Sequence, residues 1–280
     1  MNACTAFVLG LVLGLPVLPA WADEPVTEER TWTEVYPVTG AEPWLVISNI
    51  WGNVTVTAGM AGQITATVHE VRTAPDQSRF ERSHESIYLE VDADPDGVSM
   101  LVGGPDRYWR RFDRCRGCRV DYQFEIAVPP DTRVDVGTVT DGRVDISGIR
   151  GPVTASNVNG PIDLESLHDC ELIENVNGRI DLHFANVPGG DCSIETVNGD
   201  ITMGLPDGTG MDMAFDLFNG RMVSEMDVDP LAMPATVERM EADGRFRYRI
   251  EQPAGVRLGA GGPRFTFSSL NGDIRIRRNQ

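Results

Sequence analysis

The pair Asn-Gly recurs along this chain at a near-constant spacing. It stands at Asn159-Gly160, Asn177-Gly178, Asn198-Gly199, Asn219-Gly220 and Asn271-Gly272, with Asp141-Gly142 in the same series. Successive glycines from Gly142 lie 18, 18, 21 and 21 residues apart, and the last step is 52. An earlier stretch, Ser48 to Val56, has the same shape with Trp51 in place of Asn. A fixed period of this length marks a repeat architecture, in which each unit buries its apolar face only against its neighbours.

Apolar residues keep step with the glycines. Two positions after Gly stand Val54, Val144, Ile162, Ile180, Ile201, Met222 and Ile274. Four after Gly stand Val56, Ile146, Leu164, Leu182, Met203 and Ile276. Two before Gly stand Ile50, Val158, Val176, Val197, Phe218 and Leu270. The intervening positions are mostly polar, so strands alternate on both sides of a turn. All three series are read as the inward set. Asn and Gly both tolerate positive φ, which suits a tight corner.

Two architectures fit. Asn-Gly between alternating strands is a strong hairpin signal. The regular step and the repeated apolar set favour the other: an all-β fold, a β-solenoid or right-handed parallel β-helix-like roll built from 18–21-residue Asn-Gly repeats. In that arrangement the Asn side chains form a ladder at one corner. The flanks also read as strands, at residues 42–47, 63–68, 86–91, 98–102, 120–128 and 245–250. A short helix is expected within 74–86, and a second within 226–241 despite Pro230 and Pro234.

The leader is read separately. From Phe7 to Ala22 the chain is apolar and uncharged, broken by Pro16 and Pro19, and Ala20-Trp21-Ala22 precedes Asp23. That is the layout of a cleaved signal peptide over residues 1–22, although the first six residues carry no Arg or Lys. No other segment has membrane-spanning length. Residues 23–280 are then one domain, placed in the periplasm or at the cell surface. An irregular β part covers 40–130 and holds an Arg- and Cys-rich insertion at 103–119; regular repeats cover 131–280.

Four cysteines follow the leader: Cys115, Cys118, Cys170 and Cys192. An even count in an exported chain favours disulfides. Cys115 and Cys118 are close enough to bridge a Gly turn, and Cys170 and Cys192 hold similar places in consecutive repeats. The rivals are a redox Cys-x-x-Cys and a four-Cys zinc site.

Several motifs resemble the bacterial putative-adhesin domain family, exported β-strand-repeat proteins without a settled molecular function. They are Tyr122-Gln-Phe-Glu-Ile-Ala-Val-Pro129 running into Val134-Asp-Val136, the Asn-x-Asn-Gly-x-Ile repeats, and the closing Ser269-Leu-Asn-Gly-Asp-Ile-Arg-Ile-Arg277. The resemblance spans about residues 40–280. It implies a right-handed solenoid or roll like an adhesin stalk, a cell-envelope role and no catalytic residues. The insertion at 103–119 and the irregular stretch between Gly220 and Asn271 depart from it.

Net charge is −18, from 24 basic and 42 acidic side chains, which argues against nucleic acid as a partner. All the basic residues are Arg, so every cation is a planar multi-donor fork. Six of them, Arg107, Arg110, Arg111, Arg114, Arg116 and Arg119, crowd into 13 residues with Tyr108, Trp109 and Phe112. Such a run suits an anionic envelope glycan or lipid headgroup, or another envelope protein; otherwise it pairs with the chain's own carboxylates. Asp145, Asp163 and Asp181 recur three after Gly and would stack outward. They form a weak cation site, or an acid pair for a polysaccharide-active enzyme, or a solvated face relieved by Arg143 and Arg179. His69, His84, His168 and His183 are scattered beside no nucleophile motif. No cofactor is implied. The expected function is therefore noncatalytic: an envelope module that presents loops to a polymer or partner. The alternatives are a polysaccharide-active β-helix enzyme and a self-assembling envelope subunit.

Overall fold

A computed structural model describes residues 25–103, 115–232, 236–242, 245–251 and 254–279. The expected leader, 1–22, lies outside them. Among the described residues the alternation of the sequence becomes 23 strands and one helix.

A ten-stranded sheet runs in the order β1 (Val26–Pro37), β4 (Gln63–Ala74), β7 (Arg119–Val128), β3 (Val54–Ala58), β9 (Val144–Ser147), β11 (Ile162–Leu167), β13 (Ile180–Phe184), β15 (Ile201–Leu205), β23 (Ile274–Arg278), β17 (Met222–Ser224). An eleven-stranded sheet runs β18 (Val228–Leu231), β21 (Ala254–Leu258), β16 (Met211–Asn219), β22 (Arg264–Asn271), β14 (Cys192–Asn198), β12 (Leu172–Asn177), β10 (Val153–Asn159), β8 (Arg133–Thr138), β2 (Trp44–Ser48), β6 (Gly97–Val102), β5 (Leu89–Ala93). A hairpin, β19 (Thr236–Ala242) with β20 (Arg245–Glu251), forms a separate two-stranded sheet.

The two strands around each Asn-Gly do not pair with each other. β10 enters the second sheet and β11 the first, and each pairs in parallel with its equivalent in the next repeat. The hairpin reading is thereby excluded. The reason is burial: parallel stacking puts Ile162, Ile180, Ile201 and Ile274 in one row and Ala155, Ile173, Ile194, Phe267 and Phe215 in another, all at 5% exposure or less. The core lies between these rows.

At the corners the glycines answer to close approach more than to φ. A Cβ on Gly199 would stand 1.9 Å from the Gly178 carbonyl oxygen. Gly160 combines such a contact with a positive φ of 149°. The Asn residues before them are not in the left-handed region. Their amides instead form the expected ladder: Asn177 donates to Asn159 at 3.0 Å, Asn198 to Asn177 at 2.9 Å, Asn271 to Asn198 at 2.8 Å and Asn219 to Asn271 at 2.9 Å.

That ladder is out of sequence order. The last repeat inserts between two earlier ones, so β22 lies between β14 and β16, and β23 between β15 and β17. Its rings fill the core there: Phe267 stacks on Phe215 at 5.1 Å and Phe265 meets Phe184 edge-on at 5.6 Å.

The helix α1 (Gln77–Ser86) is capped by Asp76, whose carboxylate accepts from the Arg79 backbone N–H at 2.8 Å. Arg72, almost wholly buried on β4, holds α1 by donating to Ser83 Oγ and the Ile87 carbonyl, both at 3.0 Å. Glu70 balances it at 2.7 Å and also takes Arg30. Burial next to Glu70 pushes the Tyr122 phenol up to about 12. Two expectations fail. Residues 86–91 are not one strand, because α1 runs to Ser86 and β5 begins at Leu89. The described residues of 226–241 hold no helix: β18 lies there as an edge strand with Pro230 opposite Val256, followed by the start of β19. Proline, lacking an N–H, fits an edge and not a helix interior.

Both disulfides form, Cys115–Cys118 and Cys170–Cys192, the second joining consecutive repeats with Cα atoms 5.5 Å apart. The four-Cys zinc alternative is set aside by that pairing.

Candidate functional site: two outer faces

The Arg run is only partly visible. Arg107, Tyr108, Trp109, Arg110, Arg111 and Arg114 lie outside the described residues. Arg116 is exposed. Arg119 is already engaged, at 2.7 Å from Asp121 and 3.2 Å from Asp141, and the hydrogen bond to Asp121 raises its pKa.

On the first sheet, Asp145, Asp163 and Asp181 stand side by side on β9, β11 and β13, as the repeat required. Two guanidinium groups lie across them. Arg143 reaches Asp163 at 2.6 Å and Asp145 at 3.0 Å; Arg179 reaches Asp163 at 2.5 Å and Asp181 at 2.8 Å. Burial pushes the Asp145 carboxyl above its usual range, against the pull of Arg143. The pattern continues at Arg275, which reaches Asp200 at 2.7 Å and Asp273 at 3.5 Å. Hydrogen bonding to Arg275 holds the Asp200 carboxyl below the ordinary carboxylate range. Arginine forks thus occupy the positions a cation would take. Among the described residues no group of three or more His, Cys, Asp or Glu is placed to hold a metal ion.

The second sheet corrects the sequence reading. The apolar series two before Gly faces outward. Val176 is 37% exposed, Val197 38%, Leu270 45% and Phe218 76%. The inward place goes to the residue before it: Asn157, Asn175, Thr196 and Ser269 are buried. These polar side chains tie the corners together, Asn157 donating to the Gly142 carbonyl and Asn175 to the Gly160 carbonyl, each at 2.9 Å. Parity was the signal that could have shown this. Ile47, Ala155, Ile173, Ile194, Phe215 and Phe267, five before Gly, are also apolar. Positions −5 and −2 point to opposite faces of a strand, so they cannot both face in.

The outward residues form rows. The register aligns Val158, Val176, Val197, Leu270 and Phe218 across β10, β12, β14, β22 and β16, and Val139, one residue past the end of β8, extends the row. On one flank lies the Asn ladder. On the other lies a second row, Ser156, Glu174, Glu195, Ser268 and Asp216. The apolar row and this second row line an open groove of about 1510 Å³. Among the described residues none of the three carboxylates has a basic partner; Glu195 only accepts from Ser193 Oγ at 3.1 Å.

No family model matches this chain, and no curated protein matches it. It is similar to the solved structure of a putative cell adhesion protein from Clostridium sporogenes, at 10% identity and TM-score 0.49, over 90% of this chain and 100% of the other. A putative adhesin from Bacteroides fragilis matches at 10% identity and TM-score 0.27, over 89% and 97%. A putative lipid binding protein from Parabacteroides distasonis matches at 7% identity and TM-score 0.26, over 92% and 97%. Proteins named as putative adhesins stand among its structural neighbours. Likenesses this distant carry nothing about what the chain does. Among the described residues no helix is long and apolar enough to cross a membrane.

Proposed function

We propose that this chain is an adhesin-like binding module of the bacterial cell envelope, noncatalytic, with residues 23–280 forming one β-solenoid domain after a cleaved leader. The two disulfides support an oxidising location. The observation that carries the reading is the outward apolar row on the second sheet. An exposed, continuous apolar stripe costs solubility and marks an interaction surface. The first sheet supports the noncatalytic part. Its Asp163 accepts from two arginines at once, so the Asp ladder is held as architecture rather than left free for acid–base work.

The contact surface therefore moves from the Arg run to the second sheet. The Arg run, with Arg116 and the ion-paired Arg119 its exposed described members, is kept as a separate surface for an anionic glycan or lipid headgroup. One experiment weighs both. The full chain, exported and processed by a bacterial host, is immobilised and challenged with solubilised envelope fractions. One variant carries Val176→Thr, Val197→Thr, Leu270→Thr and Phe218→Ser. Another carries Arg107→Gln, Arg110→Gln, Arg111→Gln and Arg114→Gln. Retention by the parent and loss in the first variant is the expected result. Retention lost only in the second returns the site to the Arg run. No retention by the parent overturns the binding reading.

A further inference from the structure

The chemistry of the groove narrows what can fill it. Its floor is the face of β10, β12, β14 and β22, strands paired on both sides. Their backbone groups are already used, so an occupant cannot join as another strand and must dock through side chains. The apolar row has six members at one strand spacing each, which makes it about 24 Å long. A helix of about 16 residues has that length. On one side of the apolar row the corner carries the uncharged Asn ladder. The other presents Glu174, Glu195 and Asp216, and Glu174 stands directly opposite Glu195 in the register. Like charges in register repel, and here no described basic side chain relieves them. The same chain relieves its other acidic row with Arg143 and Arg179. The lone cation lining the groove among the described residues is Arg264, at its far margin.

We infer that the groove docks an amphipathic helix of a partner protein, with its apolar stripe on the Val139–Phe218 row and a basic flank over Glu174, Glu195 and Asp216. This deepens the binding reading above and rests on it. An anionic lipid surface is disfavoured by the same carboxylates, and a neutral lipid surface leaves them unanswered. The interface is apolar at its centre and electrostatic at one edge, so the row sets affinity and the acids set orientation and salt dependence.

The test uses a fluorescein-labelled 18-residue peptide with Leu at helical spacing along one face and Arg along the adjoining flank. A scrambled peptide of the same composition is the control. Anisotropy is read against the full processed chain. The ordered peptide should bind, gain helical circular dichroism on mixing, and lose affinity as salt is raised. Val176→Thr with Val197→Thr and Phe218→Ser should weaken it about tenfold. Glu174→Gln with Glu195→Gln and Asp216→Asn should weaken it about threefold and flatten the salt dependence. Asp145→Asn on the other sheet should change nothing. Equal binding of the scrambled peptide, or full binding by the apolar-row variant, reduces the effect to general charge attraction and overturns the inference. So does binding to phosphatidylcholine vesicles through the same row with no peptide binding. If envelope material is retained as above while the peptide fails, the binding module stands and the helix partner falls. If both fail, both fall.

Discussion

The two sheets carry the same repeat and treat their acids in opposite ways. On the first sheet, three stacked aspartates are bridged by Arg143 and Arg179. On the second, Glu174, Glu195 and Asp216 run beside an apolar row with no described basic partner. An in-register repeat stacks like residues on like, so any charged position becomes a line of repulsion. The chain supplies the counter-charge along the Asp row of the first sheet; on the second, Arg133 and Arg257 pair with Glu171 and Asp212, but no described basic side chain serves Glu174, Glu195 or Asp216. That omission is what singles out the second sheet.

The sharpest way to break the comparison is to exchange inside for outside on that sheet. Phe267→Ala removes a buried ring stacked on Phe215 and should cost about 3–5 kcal/mol in urea unfolding. Phe218→Ala, on the outer row, should stay within about 0.5 kcal/mol. Similar losses at the two positions would falsify the outward row.

Next comes the bridged face. Arg143→Gln with Arg179→Gln strands three aspartates together and should destabilise by on the order of 1 kcal/mol at low salt. The loss should shrink in about 1 M salt, where the Debye length is about 3 Å. A loss that ignores salt points to packing by the Arg stems instead.

The open face should respond with the opposite sign. Glu174→Gln with Glu195→Gln removes an unrelieved repulsion and should raise stability by about 0.2–1 kcal/mol. A lowered midpoint in thermal unfolding would mean that these acids have a partner and that the contrast between faces is lost.

The smallest effect is in pH. The Asp200 carboxyl sits below its ordinary value because of Arg275, so its stabilisation is full above the unfolded pKa of about 3.9 and drains away as pH falls through the folded one. Asp145 is shifted upward by burial, so its share is full below the unfolded value and is lost as pH rises through the folded one. Melting temperature between about pH 2 and 6 should therefore fall less steeply on acidification in Asp200→Asn and more steeply in Asp145→Asn than in the parent. Parallel curves for all three proteins would remove the distinction.

Much of the scaffold is legible in the amino-acid sequence. Glycine spacing marks the corners, the +2 and +4 positions mark one buried row, and the similar offsets of Cys170 and Cys192 mark a bridge. The Asn ladder follows from stacking equal corners. The site is not legible in the same way. Val158, Val176, Val197 and Leu270 are apolar at a strand period, and period alone does not say which face is wet. Asn157 and Asn175 take the inward place because their amides satisfy corner carbonyls that no aliphatic side chain can reach.

The sequence by itself determined the repeat, the alternation within it and the chemistry of each stacked row, because these depend on local spacing and on like residues meeting like. Tertiary structure alone decided two things. It chose which of two apolar series was buried, since facing sheets have one interior and the five-before-Gly series filled it. It also placed the last repeat between the Asn198 and Asn219 repeats, since that order lets Phe265 and Phe267 close the core against Phe184 and Phe215. Neighbours along the chain were not neighbours in space there, and no local rule could have named them.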